Sequence, residues 1–347
     1  MSSSQTSESL QSSGLSDISQ LSNSPSVSQA LHSPLATPKA TIETLQSFGL
    51  YTKKKLGQHF LIDDNVIGRI LDAANLDKSD QVLEIGPGIG VLTVALLKQA
   101  GQVLALEYDS QLIEVLDHVT TNFDYSVKIV SAVTQADSEA GAGSAVSATT
   151  SMAAMAAMAD ASDLLILNED ALNIPQIDLP LQPTKLIANL PYQVAATNVL
   201  DCFEYLPSVQ QATVMVQREV AERMAAEPGS KIYGAYSAKL QLLAQPVGSF
   251  AVSRNSFLPP PRVDSSVISL VRHNATESLV DDIEHYRAVA KLIDICFAQR
   301  RKTINNNLRA GHVEASTEMF QQAGIEPSVR AETLSPADFV RLYRALQ

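Results

Sequence analysis

An α/β sheet with helices on both faces, followed by a small all-helical unit, is the architecture this 347-residue chain predicts. Two observations carry that expectation. Short apolar runs alternate with helix-patterned segments through the middle of the chain, the βαβα order of a parallel sheet. Beyond about residue 275 the pattern becomes wholly helical, with apolar spacing near 3.6. The elements follow in order. "QVLEIG" (81–86) reads as a buried strand and "IGVLTVALLKQA" as the helix after it. "VLALEYD" (103–109) is a second strand, followed by the helix "SQLIEVLDHV". "LLILNED" (164–170) and "KLIANL" (185–190) are the third and fourth, and "ATVMVQ" (212–217) is a fifth that runs into the helix "REVAERMA". "SFAVSRNSFLPPPRVDSSVISLVR" reads as two later strands around a proline-rich turn. "YRAVAKLIDICFAQRRKTINNNLRA" opens the helical unit.

Composition bounds the rest. An apolar fraction of 45% supports a sizeable core, divided here into an α/β domain over 41–275 and a helical domain over 276–347. Residues 1–40 are dominated by serine and are expected to be disordered. A second low-complexity stretch, 131–163, reads as a mobile surface insertion. The formal charge is -12, and the serine-rich head, with Glu8, Asp17 and Lys39, does not account for it. Any phosphate contact must therefore come from local patches, of which Lys53, Lys54 and Lys55 form one and Arg300, Arg301 and Lys302 another. Cys202 and Cys296 lie far apart in apolar surroundings. They read as buried reduced thiols of a cytoplasmic protein, and no metal site is expected. No apolar run reaches the length of about eighteen residues that a membrane span requires, and the N-terminus lacks the layout of a signal peptide.

"EIGPGIG" places Glu84, Gly86, Gly88 and Gly90 between the first strand and its helix. Glycines there let the backbone pass close to a ligand, at the carboxyl end of a strand where open parallel sheets bind. The second strand ends in Glu107, whose carboxylate can accept hydrogen bonds from both hydroxyls of a ribose. Asp109 is better placed to cap the next helix. Asp170, ending the third strand, either accepts from an adenine amino group or caps a turn. Gly, Glu and Asp on successive strand ends describe an adenosine-containing cofactor. Nicotinamide cofactors and S-adenosylmethionine both qualify. The third glycine of the full dinucleotide fingerprint is missing, with Leu92 and Thr93 near its place, and nothing downstream suits hydride transfer.

The fourth strand discriminates. It delivers Asn189, Leu190, Pro191 and Tyr192 to the same rim. An exocyclic amino group is a poor nucleophile because its lone pair is delocalised into the ring. Two acceptors that hold its N–H bonds out of plane localise that lone pair toward a methyl donor. The Asn189 side-chain oxygen and the Leu190 carbonyl can serve, Pro191 fixes the backbone, and Tyr192 can stack on the base. Methyl transfer of this kind is positioning and electrostatics, and the base must leave its helix stack. Phe257, on the proline loop, reads either as a second stacking aromatic or as a core residue.

"KKKLGQHFLIDDNVIGRI", "VLEIGPGIGVLT", "NEDAL", "IANLPYQV", "MVQREVAERM", "YGAYS", "FLPPPRVDSSVISL" and "FAQRRKTINNNL" follow one another in the chain. In that order they resemble the ribosomal RNA adenine dimethyltransferase family, and its small-subunit branch in particular, from about Tyr51 to the end, excluding the insertion at 131–163. The resemblance implies a Rossmann-like S-adenosylmethionine-dependent methyltransferase sheet. It implies transfer of two methyl groups to N6 of each of two adjacent adenosines in the hairpin near the 3′ end of 16S rRNA, in the immature small subunit. It carries cofactor contacts to His59, Leu61, Gly86, Glu107, Asp170 and Asn189, catalysis to Asn189 through Tyr192, and base stacking to Phe257. Many members carry asparagine where His59 stands, and a histidine nitrogen there can still reach the cofactor's carboxylate end. Arg218 and Arg223 could extend the RNA surface. The rivals are a large-subunit enzyme of the macrolide-resistance type, a DNA adenine methyltransferase and a non-enzymatic binding factor of the same fold. "FAQRRKTINNNL" argues against the first, Leu190 in place of a common proline against the second, and the retained Gly86, Glu107, Asp170 and Asn189 against the third.

Overall fold

The computed structural model describes residues 31–50, 59–130, 133–134 and 162–347. The lysines 53–55, most of the 131–163 insertion and the serine-rich stretch 1–30 lie outside the described residues.

The end of the 1–40 segment is ordered, contrary to expectation. Ser33, Leu35 and Ala36 are buried, and Pro38–Ser47 forms helix α1. Thr37 caps it by accepting from the Ala40 N–H, and Pro38 sits in its first turn, where a missing N–H costs nothing. Composition missed this because the order comes from docking. Asp64 accepts from the His32 and Ser33 N–H groups at 3.0 and 2.8 Å. Lys98 donates to the Leu31 and His32 carbonyls. The His32 ring lies against Gly68, where a Cβ would meet Nε2 at 2.7 Å.

Eight strands form the central sheet. They are β2 (Gln81–Ile85), β3 (Gln102–Glu107), β4 (Val127–Val130), β6 (Leu164–Asn168), β8 (Lys185–Asn189), β9 (Gln211–Gln217), β10 (Ala244–Val252) and β12 (Ser265–Arg272). Their order is β10-β12-β9-β8-β2-β3-β6-β4. The pairings from β9 through β4 are parallel, while β12 is antiparallel to both β9 and β10. The sheet is therefore mixed rather than wholly parallel. A parallel neighbour needs a crossover, usually a helix, and the proline-rich connection before β12 carries none. Two short ladders complete the strands: β1 (Phe60–Leu61) with β11 (Phe257–Leu258), and β5 (Val133–Thr134) with β7 (Ile177–Asp178).

The two-residue period of the strands feeds two cores. Val82, Val103, Ile187 and Met215 face one, against α2 (Asp64–Ala74), α3 (Val91–Gln99) and α4 (Ser110–Thr121). Leu83, Leu104, Leu186 and Val214 face the other, against α5 (Ala195–Tyr205), α6 (Arg218–Met224) and α7 (Ala235–Leu243). Helix α2 shows why such segments are helical. Val66, Ile67, Ile70, Leu71 and Ala74 make one apolar stripe, Asp63 caps its start, and Asn75 ends it in the left-handed region.

The C-terminal helices are α8 (Ile283–Phe297), α9 (Ile304–Ala310), α10 (Thr317–Ala323) and α11 (Pro336–Ala345). Their Tyr286, Leu292, Phe339 and Leu342 belong to the same core as the second sheet face. Cys202 and Cys296 are free and buried, and burial pushes both thiols up. Among the described residues no helix is long and apolar enough to cross a membrane.

From β2 the chain proceeds outward to β3 and the edge strand β4, places β6 between those two, then returns to β8 on the other side of β2. The carboxyl ends of β2 and β8 flank this switch point, where α/β sheets bind ligands.

Candidate active site

A cavity of about 250 Å³ opens at that switch point, lined by His59, Leu61, Gly86, Glu107 and Asn189 through Tyr192 among others. Most of the predicted site residues thus converge. Gly86 and Gly88 adopt φ of +67° and +60°, the left-handed region that favours glycine. A Cβ on Gly86 would stand 3.4 Å from the Pro191 ring carbons, so the glycine loop and the Asn189–Tyr192 loop are in contact.

Glu107 is held by backbone donors. Its Oε1 accepts from the Asp109 N–H at 2.9 Å and its Oε2 from the Gly88 N–H at 3.4 Å. Burial raises its pKa, and these hydrogen bonds oppose the rise. Asp109 caps α4, as its position suggested. Deeper in the wall lies Glu84, whose Oε2 has no partner among the described residues. Burial pushes its carboxyl up to about 8; the Thr93 hydroxyl pulls the other way and the Glu107 charge adds to the rise. Glu84 and Tyr108 were not singled out as site residues from sequence. Tyr108 lines the cavity while 76% exposed, and the available signal was its place directly after Glu107.

Asp170 does not line the cavity. It caps a 3-10 turn, Ala171–Gln176, by accepting from the Leu172 N–H at 2.9 Å.

In the Asn189–Tyr192 loop, Asn189 Nδ2 donates to the His59 carbonyl at 3.3 Å. That leaves its Oδ1 as the acceptor for a ligand. The Leu190 side chain is buried, and its N–H donates to the Met215 carbonyl of β9 at 3.0 Å. The Tyr192 hydroxyl pairs with Ser265 Oγ at 2.7 Å, and its ring stacks on His59 with centroids 5.8 Å apart and 28° between planes. His59 Nδ1 lies 2.7 Å from the Pro259 carbonyl.

Phe257 departs from the stacking expectation. It is 1% exposed and lies in β11 opposite Leu61, packed in the first core. The β1–β11 ladder buries its ring, so in this form of the protein it offers no face to a base.

A family model described as "Ribosomal RNA adenine dimethylase" matches residues 49–347. The chain belongs to that family. A relative from Rhodococcus opacus, named "Ribosomal RNA small subunit methyltransferase A", is 39% identical over 299 residues, covering 86% of this chain and 90% of its own. The Staphylococcus aureus (strain Newman) protein of the same name is 36% identical over 321 residues, covering 89% and 94%. Two solved structures share the fold. A dimethyladenosine transferase from Plasmodium falciparum aligns with TM-score 0.61 at 23% identity, covering 82% of this chain and 96% of that one. The 23S rRNA methyltransferase ErmE aligns with TM-score 0.55 at 22% identity, covering 83% and 99%.

As a member of the dimethylase family, the protein is an rRNA adenine N6,N6-dimethyltransferase that uses S-adenosylmethionine. The site suits that cofactor. A buried carboxyl oxygen without a partner in Glu84, a two-oxygen acceptor in Glu107 and a glycine cradle match its hydroxyl and amino donors.

Proposed function

We propose that this enzyme dimethylates N6 of two adjacent adenosines in the hairpin near the 3′ end of 16S rRNA. It acts as a cytoplasmic monomer on the immature small subunit. The observation that carries the reading is the Asn189–Tyr192 loop, ending β8 in contact with the glycine loop that ends β2. The small-subunit assignment draws support from relatives named for that subunit and from "FAQRRKTINNNL".

The cofactor supplies a methyl group already activated on a sulfonium. Every other task is positioning by the chain. Glu107 accepts from the ribose hydroxyls, whereas Asp170, outside the cavity and capping a turn, is given no cofactor contact. Asn189 Oδ1 and the Leu190 carbonyl accept the two N–H bonds of the target amino group and turn its lone pair toward the methyl donor. Tyr192, braced by Ser265, stacks on the extruded base. The first transfer releases one N6 proton to water and leaves one N–H, so one of the two acceptors goes unpaired or takes a water in the second.

Mass spectrometry of small-subunit rRNA from cells with and without this protein tests the assignment. N6,N6-dimethyladenosine at adjacent positions, lost with the protein, is the expected result. A change confined to large-subunit rRNA would refute the small-subunit reading.

A further inference from the structure

The strongest unexplained contact in the site is the one between His59 and Tyr192. The rings are near-parallel at 5.8 Å, a direct stacking distance. A base between them needs two layers of about 3.5 Å each, or roughly 7 Å in all. The covered face of Tyr192 is therefore closed to an adenine while His59 holds this position. Three contacts hold it there. Nδ1 is bonded to the Pro259 carbonyl, the ring stacks on Tyr192, and the main-chain carbonyl receives the Asn189 amide. Phe257, the other aromatic expected at the base, is buried, so His59 is the ring that pairs with Tyr192.

The same histidine lines the cavity that runs to Gly86 and Glu107. With Nδ1 donating to the Pro259 carbonyl, its Nε2 is an acceptor. A cofactor held at the Gly86–Glu107 end would, with its amino-acid end at His59, present its ammonium rather than its carboxylate to that acceptor nitrogen. An ammonium group there offers a charge-assisted hydrogen bond in place of the stack.

We infer that His59 couples the two halves of the site: it covers the base-stacking face of Tyr192 in the free enzyme, and cofactor binding draws it away. The inference rests on the reading of Tyr192 as the base-stacking ring. It makes His59 a positioning residue that orders the reaction, with the cofactor bound before the base is admitted. Coupling of this kind is reciprocal, so the base must tighten the cofactor by the factor by which the cofactor tightens the base.

The test uses the full chain and an RNA hairpin with 2-aminopurine at the target position, whose fluorescence reports unstacking and capture. S-adenosylhomocysteine serves as the cofactor probe, its affinity measured by calorimetry. In the unmodified enzyme the probe should tighten base capture at least about fivefold, and the hairpin should tighten the probe equally. In His59→Ala, capture without the probe should rise to the level the parent reaches with it, and the coupling should fall below about twofold. His59→Phe keeps a ring that stacks but cannot bond, so capture should stay weak with or without the probe. Undiminished coupling in His59→Ala overturns the inference. So does weaker base capture in that variant, because the ring would then only prop Tyr192. Tyr192→Ala separates the two claims. If it captures the base as the parent does, the stacking role of Tyr192 fails and the His59 inference falls with it.

Discussion

At Asn189 one amide is divided between two duties. One N–H of its nitrogen goes to the His59 carbonyl, and its oxygen is the acceptor that the proposed mechanism uses. Asn189→Ala removes a pre-aimed acceptor and little packing. Its kcat should fall by about 10²–10³, the range for losing one preorganised polar group, while its thermal midpoint moves by only a few degrees. Single-turnover methylation and a thermal melt check the pair of outcomes. Glu84 makes a different prediction. Its folded pKa, about 8, stands above its ordinary value of 4.5. Below the ordinary value both folded and unfolded chains hold the proton and burial costs least. As pH rises the unfolded chain ionises first, so stability is lost until the folded carboxyl ionises too. Glu84→Gln should therefore be more stable than the parent by a margin that widens from pH 5 to pH 8 and then levels. The ceiling is on the order of 5 kcal/mol. Chemical denaturation across that range decides it, and a margin constant with pH would refute the assignment.

Among the elements, the N-terminal arm yields the clearest test. Asp64 accepts two backbone N–H groups from His32 and Ser33, at the first turn of α2, where negative charge is favoured. Asp64→Ala leaves both donors without a partner, at a cost of about 1–3 kcal/mol. Limited proteolysis should then cut the 31–50 segment faster than in the parent, with the sheet intact. The arm also shows which elements sequence alone reveals. Strands β2, β3, β6, β8 and β9 were legible because each is a buried apolar run bounded by turn residues. Strand β4 was not, because its Lys128 and Ile129 are exposed and the run is short. The β1–β11 ladder joins residues nearly two hundred positions apart, and no local pattern encodes it. For the same reason Phe257 could be read as either a stacking or a core residue until its partner strand was known. The loops after β2 and β8 were legible because glycine and proline announce backbone geometry directly. The His59–Tyr192 stack was not, since it depends on how two distant loops meet.

For the molecule as a whole, RNA must be bound against a charge of -12, so a few arginines and lysines carry the phosphate contacts. They are not equivalent. Arg300 is engaged by Glu332 at 3.0 Å, whereas Arg301 and Lys302 are exposed. Affinity for the rRNA hairpin should fall steeply with salt. Alanine at both Arg301 and Lys302 should flatten the plot of log K against log salt by about two units, one per lost phosphate contact. Alanine at Arg300 alone should do less. Filter binding across a salt series measures all three, and a salt-independent affinity would refute an electrostatic footprint. The helical unit was legible in outline from its 3.6-residue period, but its union with the sheet was not. Periodicity shows that a face is apolar without naming what covers it. That union has a further consequence. Because Tyr286 and Phe339 share one core with Leu83 and Leu186, the C-terminal helices stand at a set span from the Asn189–Tyr192 loop. On the proposal that those helices dock the rRNA, the enzyme would work as a ruler, choosing its adenosine by distance from the docking site as much as by its neighbours in sequence.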